Sequence, residues 1–299
     1  MLFSEAFQLM VERLRKPVTT EYELFQIGWR LAYSGKFDNL PMSRVPKTWD
    51  KARLNSAIKI LRRKRVIVED HDFKSGVWRI VQATSAGTAE EVCCLSDPFC
   101  YVSHLSAMQR YGLTNRSPHS LHLTTPSRPI WSGLRDEQFE KHYADYPYLD
   151  RLKLLHYSPN DIVRGQRVII HVSSSPAAPI LDRTTNGRIA SIGRTFLDMI
   201  SEPHLCGGMP HVVDAWTNHA NAWIDQIIPE IDKSSHKLTK VRAGYLISER
   251  LGLSDHRVEA WKNFSQRGGS QKLDPEKPYS KLFSETWKIS INVQDSDDD

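Results

Sequence analysis

The 299-residue sequence predicts an α+β protein with a small N-terminal domain over residues 1–81, a linker over 82–91, a mixed α/β domain over 92–293 and an acidic tail over 294–299. Three observations carry this expectation. Apolar residues recur at helical spacing three times before residue 65 and then at strand spacing twice before residue 82. Residues 82–91 are rich in Ala, Ser, Thr and Gly and have no period. Between Lys36 and Arg65, ten cationic side chains face only two acidic ones, Asp38 and Asp50.

The first helix is expected over about Ser4 to Arg15, with Phe7, Met10, Val11 and Leu14 on one face. Thr20-Glu21-Tyr22-Glu23 reads as a capping box opening a second helix to about Tyr33, with Leu24, Ile27 and Leu31 inward. A third helix runs from Thr48 to Lys64, because Leu54, Ala57, Ile58 and Leu61 fall at i, i+3, i+4 and i+7. Thr48 is its expected N-cap, and Asp50 in the first turn suits the helix dipole. Val66-Ile67-Val68, a polar turn over 69–76 and Val77 to Val81 then read as a β-hairpin. Three helices followed by a hairpin is the order of a winged helix-turn-helix.

The whole chain carries a net charge of +5, while residues 36–65 alone carry +8. A run of Lys and Arg is usually only a solvated face. Here it coincides with the helix order and with a hairpin carrying Lys74 near its tip, which points to a polyanion, namely double-stranded DNA. Asn55 with Arg53 or Arg62 can pair bidentately with base edges, and Lys47, Lys51, Lys59 and Lys74 suit phosphates. Arg44, Thr48 and Arg63 complete the expected interface.

In the second domain, Ser103 can cap a short helix carrying Leu105, Met108 and Tyr111, with Gly112 at its end. Strands are expected at Leu121 to Leu123, Arg151 to Tyr157 and Arg167 to Val172. Helices follow over Ile192 to Ser201 and Met209 to Ile227, punctuated by Pro203 and Pro229. The helical pattern of Leu238, Val241 and Tyr245 continues to Gly252. Ser254 is expected to cap a helix ending at Gly268-Gly269, and a strand with Trp287, Ile289, Ile291 and Val293 on one face closes the domain.

The composition excludes several classes. Cys93, Cys94, Cys100 and Cys206 are too few and irregular for a disulfide framework and lack CxxC spacing, so reduced thiols and no metal are expected. The sequence shows no signal peptide and no apolar run long enough for a membrane span, so a cytoplasmic protein without membrane contact is expected. HExxH, P-loop, GxSxG and Glu-x-Lys motifs are absent. Ser103 and His104 read as helix-start residues rather than catalytic ones, and Arg194 with Asp198 as an i, i+4 pair. No enzyme activity and no cofactor are expected.

The order Tyr101-Val-Ser-His-Leu-Ser-Ala-Met-Gln-Arg-Tyr-Gly-Leu-Thr114, Arg194-Thr-Phe-Leu-Asp-Met-Ile200, Leu205-Cys-Gly-Gly208, Arg242-Ala-Gly-Tyr-Leu246 and Leu273-Asp-Pro275 resembles the AbiEi antitoxins of type IV toxin–antitoxin systems. Ser103-His104, Arg194, Asp198 and Gly207-Gly208 are its distinctive positions. The resemblance implies a winged-helix autorepressor acting on an inverted-repeat operator in its own promoter. It also implies a C-terminal antitoxin domain that counters a cognate nucleotidyltransferase toxin, directly or indirectly, in a phage-defence locus. Arg242 and Tyr245 are candidate contacts of that domain with its partner, with core packing the favoured reading for Tyr245. The chain departs from this class of wing at Arg65, where Gly is usual; a positive φ at Arg65 would cost about 1 kcal/mol, which argues for a register shifted by one residue at this turn. Two other readings compete: a winged-helix transcription factor whose second domain senses a ligand, and a nucleic-acid-processing enzyme.

Overall fold

The computed structural model describes residues 1–143, 152–181, 186–265 and 271–293. The acidic tail and the helix end expected at Gly268-Gly269 lie outside the described residues. The fold is mixed α/β. It divides into two compact units, one within 1–101, 123–176 and 181–188, the other within 102–122, 177–180 and 189–299.

In the first unit, α1 (Phe3–Glu12), β1 (Val18–Thr20) and α2 (Glu21–Ser34) lead to a small hairpin, β2 (Lys36–Phe37) and β3 (Leu40–Pro41). The Thr20 hydroxyl accepts the Glu23 N–H at 3.2 Å, and Gly35 ends α2 at φ +63. Asp38 and Asn39, both at positive φ, form the two-residue turn, a conformation short polar side chains tolerate. Next come α3 (Lys51–Arg63), β4 (Ile67–Glu69) and β5 (Val77–Ile80). Strands β1, β5 and β4 make one antiparallel sheet, with Val18 opposite Arg79 and Ile67 opposite Ile80.

The helices enclose Phe3, Phe7, Val11, Leu24, Phe25, Trp49, Leu54, Ile58 and Leu61. The start of α3 corrects the sequence reading. Trp49 is buried against Phe3 and Phe7 and donates its indole N–H to the Phe25 carbonyl at 3.0 Å. The chain must therefore stay extended through Thr48, which is exposed, and Asp50 caps the helix by accepting the Arg53 N–H at 2.8 Å. Arg65 does take the costly positive φ, at +53, so the register shift argued from that cost is not needed.

Residues 82–91 are not wholly a linker, because α4 (Ala89–Ser96) begins inside them and buries Val92, Cys93 and Cys94. The division between units falls after Tyr101. The chain continues through β6 (Tyr101–Val102), α5 (His104–Arg110), β7 (Ser120–Pro126) and α6 (Arg128–Tyr143). Asp97 anchors α6 to the first unit, accepting from the Trp131 indole at 3.1 Å and from Thr125 at 2.8 Å. The strand expected over 151–157 is not formed in its described part, 152–157, while β8 (Ile162–Val163) and β9 (Gln166–Ser173) pair antiparallel.

After β10 (Ile180–Leu181) and β11 (Arg188–Ile189), the second unit is mainly helical: α7 (Ile192–Ser201), α8 (Met209–His219), α9 (Ile224–Asp232), α10 (Lys237–Tyr245) and α11 (His256–Trp261), closed by β12 (Phe283–Ser284) and β13 (Ile289–Ser290). Its core gathers Phe196, Ile200, Trp216, Ile227, Val241, Trp261 and Trp287. The single helix expected over Met209 to Ile227 is broken by a 3-10 turn at Ala220–Trp223, and Pro229 lies inside α9 rather than ending a helix. Asp255, not Ser254, caps α11. The expected closing strand is paired only at Ile289–Ser290.

Candidate nucleic-acid interface

Leu54, Ile58 and Leu61 turn one face of α3 into the core, which leaves Lys51, Asn55, Lys59 and Arg62 exposed as a ridge one turn apart. Among the described residues, no side-chain hydrogen bond or ion pair engages Asn55, Lys59, Arg63, Lys47 or Lys74. Lys51 lies 3.6 Å from Glu21, and Arg62 lies 3.8 Å from Glu69 while covering the Trp78 ring at 5.4 Å. Both cations are more than half exposed, so these pairs hold them by at most about 1 kcal/mol and exchange readily for another anion. Arg53 and Arg44 do not join the ridge. They stand on the other flank of α3, with Arg44 at φ +56.

The turn of the β4–β5 hairpin is held from within the first unit. Asp70 is 1% exposed, and Arg164 grips both its oxygens, at 2.6 and 3.1 Å, while also pairing with Asp72. Burial by itself would raise the Asp70 carboxyl; hydrogen bonds from Arg164 and from the Asp72 backbone, with the charges of Arg164 and Arg79, outweigh it and hold the group below its ordinary range. Phe73 bridges to Pro159, and the Lys74 N–H donates to the Ser158 carbonyl at 3.2 Å. Lys74 therefore sits on a fixed turn. No local signal announces this anchor, since Asp70 and Arg164 lie 94 positions apart.

In the second unit, the distinctive residues around α5 and α7 form a buried polar cluster. The Ser103 hydroxyl does not cap α5; it shares a 2.8 Å hydrogen bond with His104 Nδ1, and His104 Nε2 meets Glu202 at 3.0 Å. His104 holds φ +51, a strained value for a residue with a Cβ. Arg194 donates to Asp198 at 2.7 Å; burial pushes the Asp198 carboxyl up although Arg194 and His104 oppose it. The Ser103 hydroxyl is fully buried, while the Glu202 side chain at the other end of the cluster is half exposed. Among the described residues, no group of three His, Cys, Asp or Glu side chains is placed to hold a metal.

Arg242, a candidate partner contact, is corrected by its burial, and Tyr245 lies in the core, its favoured reading. Arg242 is 6% exposed and donates to the Lys272 carbonyl at 3.0 Å and the Ile200 carbonyl at 3.3 Å, and Tyr245 packs in the core. A guanidinium with its donors spent on backbone oxygens ties segments together rather than meeting a partner.

No family model matches the chain, and no curated protein matches it. The crystal structure of RV2827C protein from Mycobacterium tuberculosis is similar over 96% of this chain and 90% of that one, at 14% sequence identity and a TM-score of 0.47. A likeness that loose bears on neither the fold nor the function of this chain.

Proposed function

We propose that the protein is a winged-helix DNA-binding autorepressor and an antitoxin of the AbiEi kind. On this reading α2 and α3 are the helix-turn-helix, α3 enters the major groove, and the β4–β5 hairpin is the wing. The observation that carries it is the ridge of Lys51, Asn55, Lys59 and Arg62, which stays exposed along one helix with Lys74 on a fixed turn in the same unit. The cations neutralise phosphates of an inverted-repeat operator in the protein's own promoter, and Asn55 reads a base edge. The antitoxin half rests on the sequence resemblance. It is supported by the meeting of two distinctive pairs, Ser103-His104 and Arg194-Asp198, around α5 and α7. The partner is a nucleotidyltransferase toxin, and the chain acts by binding rather than catalysis.

The test is fluorescence anisotropy with duplex DNA from the protein's own promoter at about 50 to 200 mM salt. With about five phosphates neutralised, the log–log slope is expected near −4 to −5. A flat response overturns the DNA reading. If the neighbouring reading frame encodes a nucleotidyltransferase, co-expression of this chain with it is expected to protect cells; growth arrest at full expression of this chain, or a neighbouring frame of another class, overturns the antitoxin reading.

A further inference from the structure

We propose that the first unit holds a binding site for a small amphipathic organic anion, such as a two-ring aromatic carboxylate, between α1 and α3. A cavity of about 510 Å³ opens there. Its size falls within the range of small-molecule pockets and far exceeds a packing void. Phe3, Phe7 and Trp49 line it; the two phenyl rings each stand 5.4 Å from the indole, which gives an aromatic floor. Ile60 forms a wall and is left 38% exposed on a helix that otherwise buries its large apolar side chains. The floor asks for an apolar ring.

The rim asks for a negative charge. Arg44 and Arg53 border the cavity, both are exposed, and among the described residues neither guanidinium makes a hydrogen bond or ion pair. Asp50 is the one carboxylate in the lining, and it already accepts the Arg53 backbone N–H as the cap of α3. Two uncommitted guanidinium forks against one engaged carboxylate select an anion, and the planar fork matches a carboxylate. Arg44 also holds φ +56, a conformation residues with a Cβ adopt only under constraint and one that concentrates at ligand sites. On a helical wheel, Arg53, Ser56 and Ile60 lie on a different flank from Lys51, Asn55 and Lys59, so this site is independent of the DNA reading.

The full chain is titrated calorimetrically with 1-naphthaleneacetate and with the neutral 2-(1-naphthyl)ethanol. The acid is expected to bind one per chain and about tenfold more tightly than the alcohol. Arg44→Ala and Arg53→Ala each weaken it about five- to tenfold without lowering the melting temperature. Ser56→Trp, which fills the cavity from an exposed helix position, abolishes binding, and Lys59→Ala leaves it unchanged. No binding of the acid up to about 1 mM, equal binding of acid and alcohol, or indifference to both arginine changes overturns the proposal.

Discussion

The indole of Trp49 occupies the space that a side chain on Gly28 would need: a Cβ built on Gly28 would overlap the ring. Gly28→Ala would gain about 1 kcal/mol of helix propensity, but overpacking a buried site costs about 1–3 kcal/mol or more. The steric term wins. The variant is expected to lower the urea midpoint of the first unit. In the Trp49→Ala background, where the ring is gone, the same change is expected to be neutral or stabilising. Denaturation curves for the four proteins of the cycle check this.

Asn55→Ala and Lys59→Ala are expected to act differently on DNA. On the proposed DNA reading, loss of Lys59 is expected to remove a phosphate contact, weaken operator and random duplex alike, and reduce the salt slope by about 1. Loss of Asn55 erodes discrimination between the two by about 1–3 kcal/mol. Paired anisotropy titrations on both duplexes measure it, and equal losses for Asn55→Ala would remove that residue from base readout.

Arg164→Ala is expected to destabilise the first unit by about 1.5–3 kcal/mol at neutral pH, because it removes the paired hydrogen bonds to the buried Asp70 carboxylate and leaves it with Arg79, at 3.4 Å, and the Asp72 N–H, at 3.0 Å. The pH dependence has a definite sign. The folded-state pKa of Asp70 is depressed, so its contribution is present above the unfolded value of about 3.9 and is lost as pH falls through the folded value. The gap in stability between wild type and Arg164→Ala should therefore be full at pH 6 and shrink below about pH 4. Thermal melts across that range test it.

Cuts at the expected linker should give incomplete folds. The Tyr22 N–H donates to the Tyr157 hydroxyl at 3.0 Å, Gln26 bonds the Tyr143 hydroxyl, and Tyr143 packs edge-on to Trp29 at 5.0 Å. A 1–81 fragment lacks Tyr143 and Tyr157, and a 92–299 fragment exposes them. Both are expected to show rapid hydrogen exchange in these segments, and mixing the two fragments is expected to restore protection. Independent, fully protected fragments would contradict this.

The residues that spoke clearly in the sequence were those whose neighbours are local. Leu54, Ile58 and Leu61 marked α3 because three turns of one helix repeat a single apolar face. Ile192 to Ser201 was legible to the residue, with Ser191 accepting the Arg194 N–H at 3.1 Å. Gly112 takes φ +67 where the end of α5 requires it. Helix α6 was missed because Trp131 and Tyr143 are its only buried residues in sixteen, too sparse for a period to show. Thr48 was mistaken for a cap because nothing local says that Trp49 must be buried first. The cavity beside α3 was invisible for a related reason: its floor comes from α1 and from Trp49, and its two arginines looked like part of one undivided basic run.

Arg164 closes the turn of a hairpin that was already complete in sequence at Ile80. During synthesis the hairpin therefore leaves the ribosome with Asp70 held only by Arg79 and the Asp72 N–H, and stays so until roughly eighty further residues have emerged. At about 5–20 residues per second, that interval lasts on the order of 4–17 s. For that time a nascent chain has its basic helix but not the rigid turn beside it. On the proposed function, firm DNA binding would wait until well over half the polypeptide has been made.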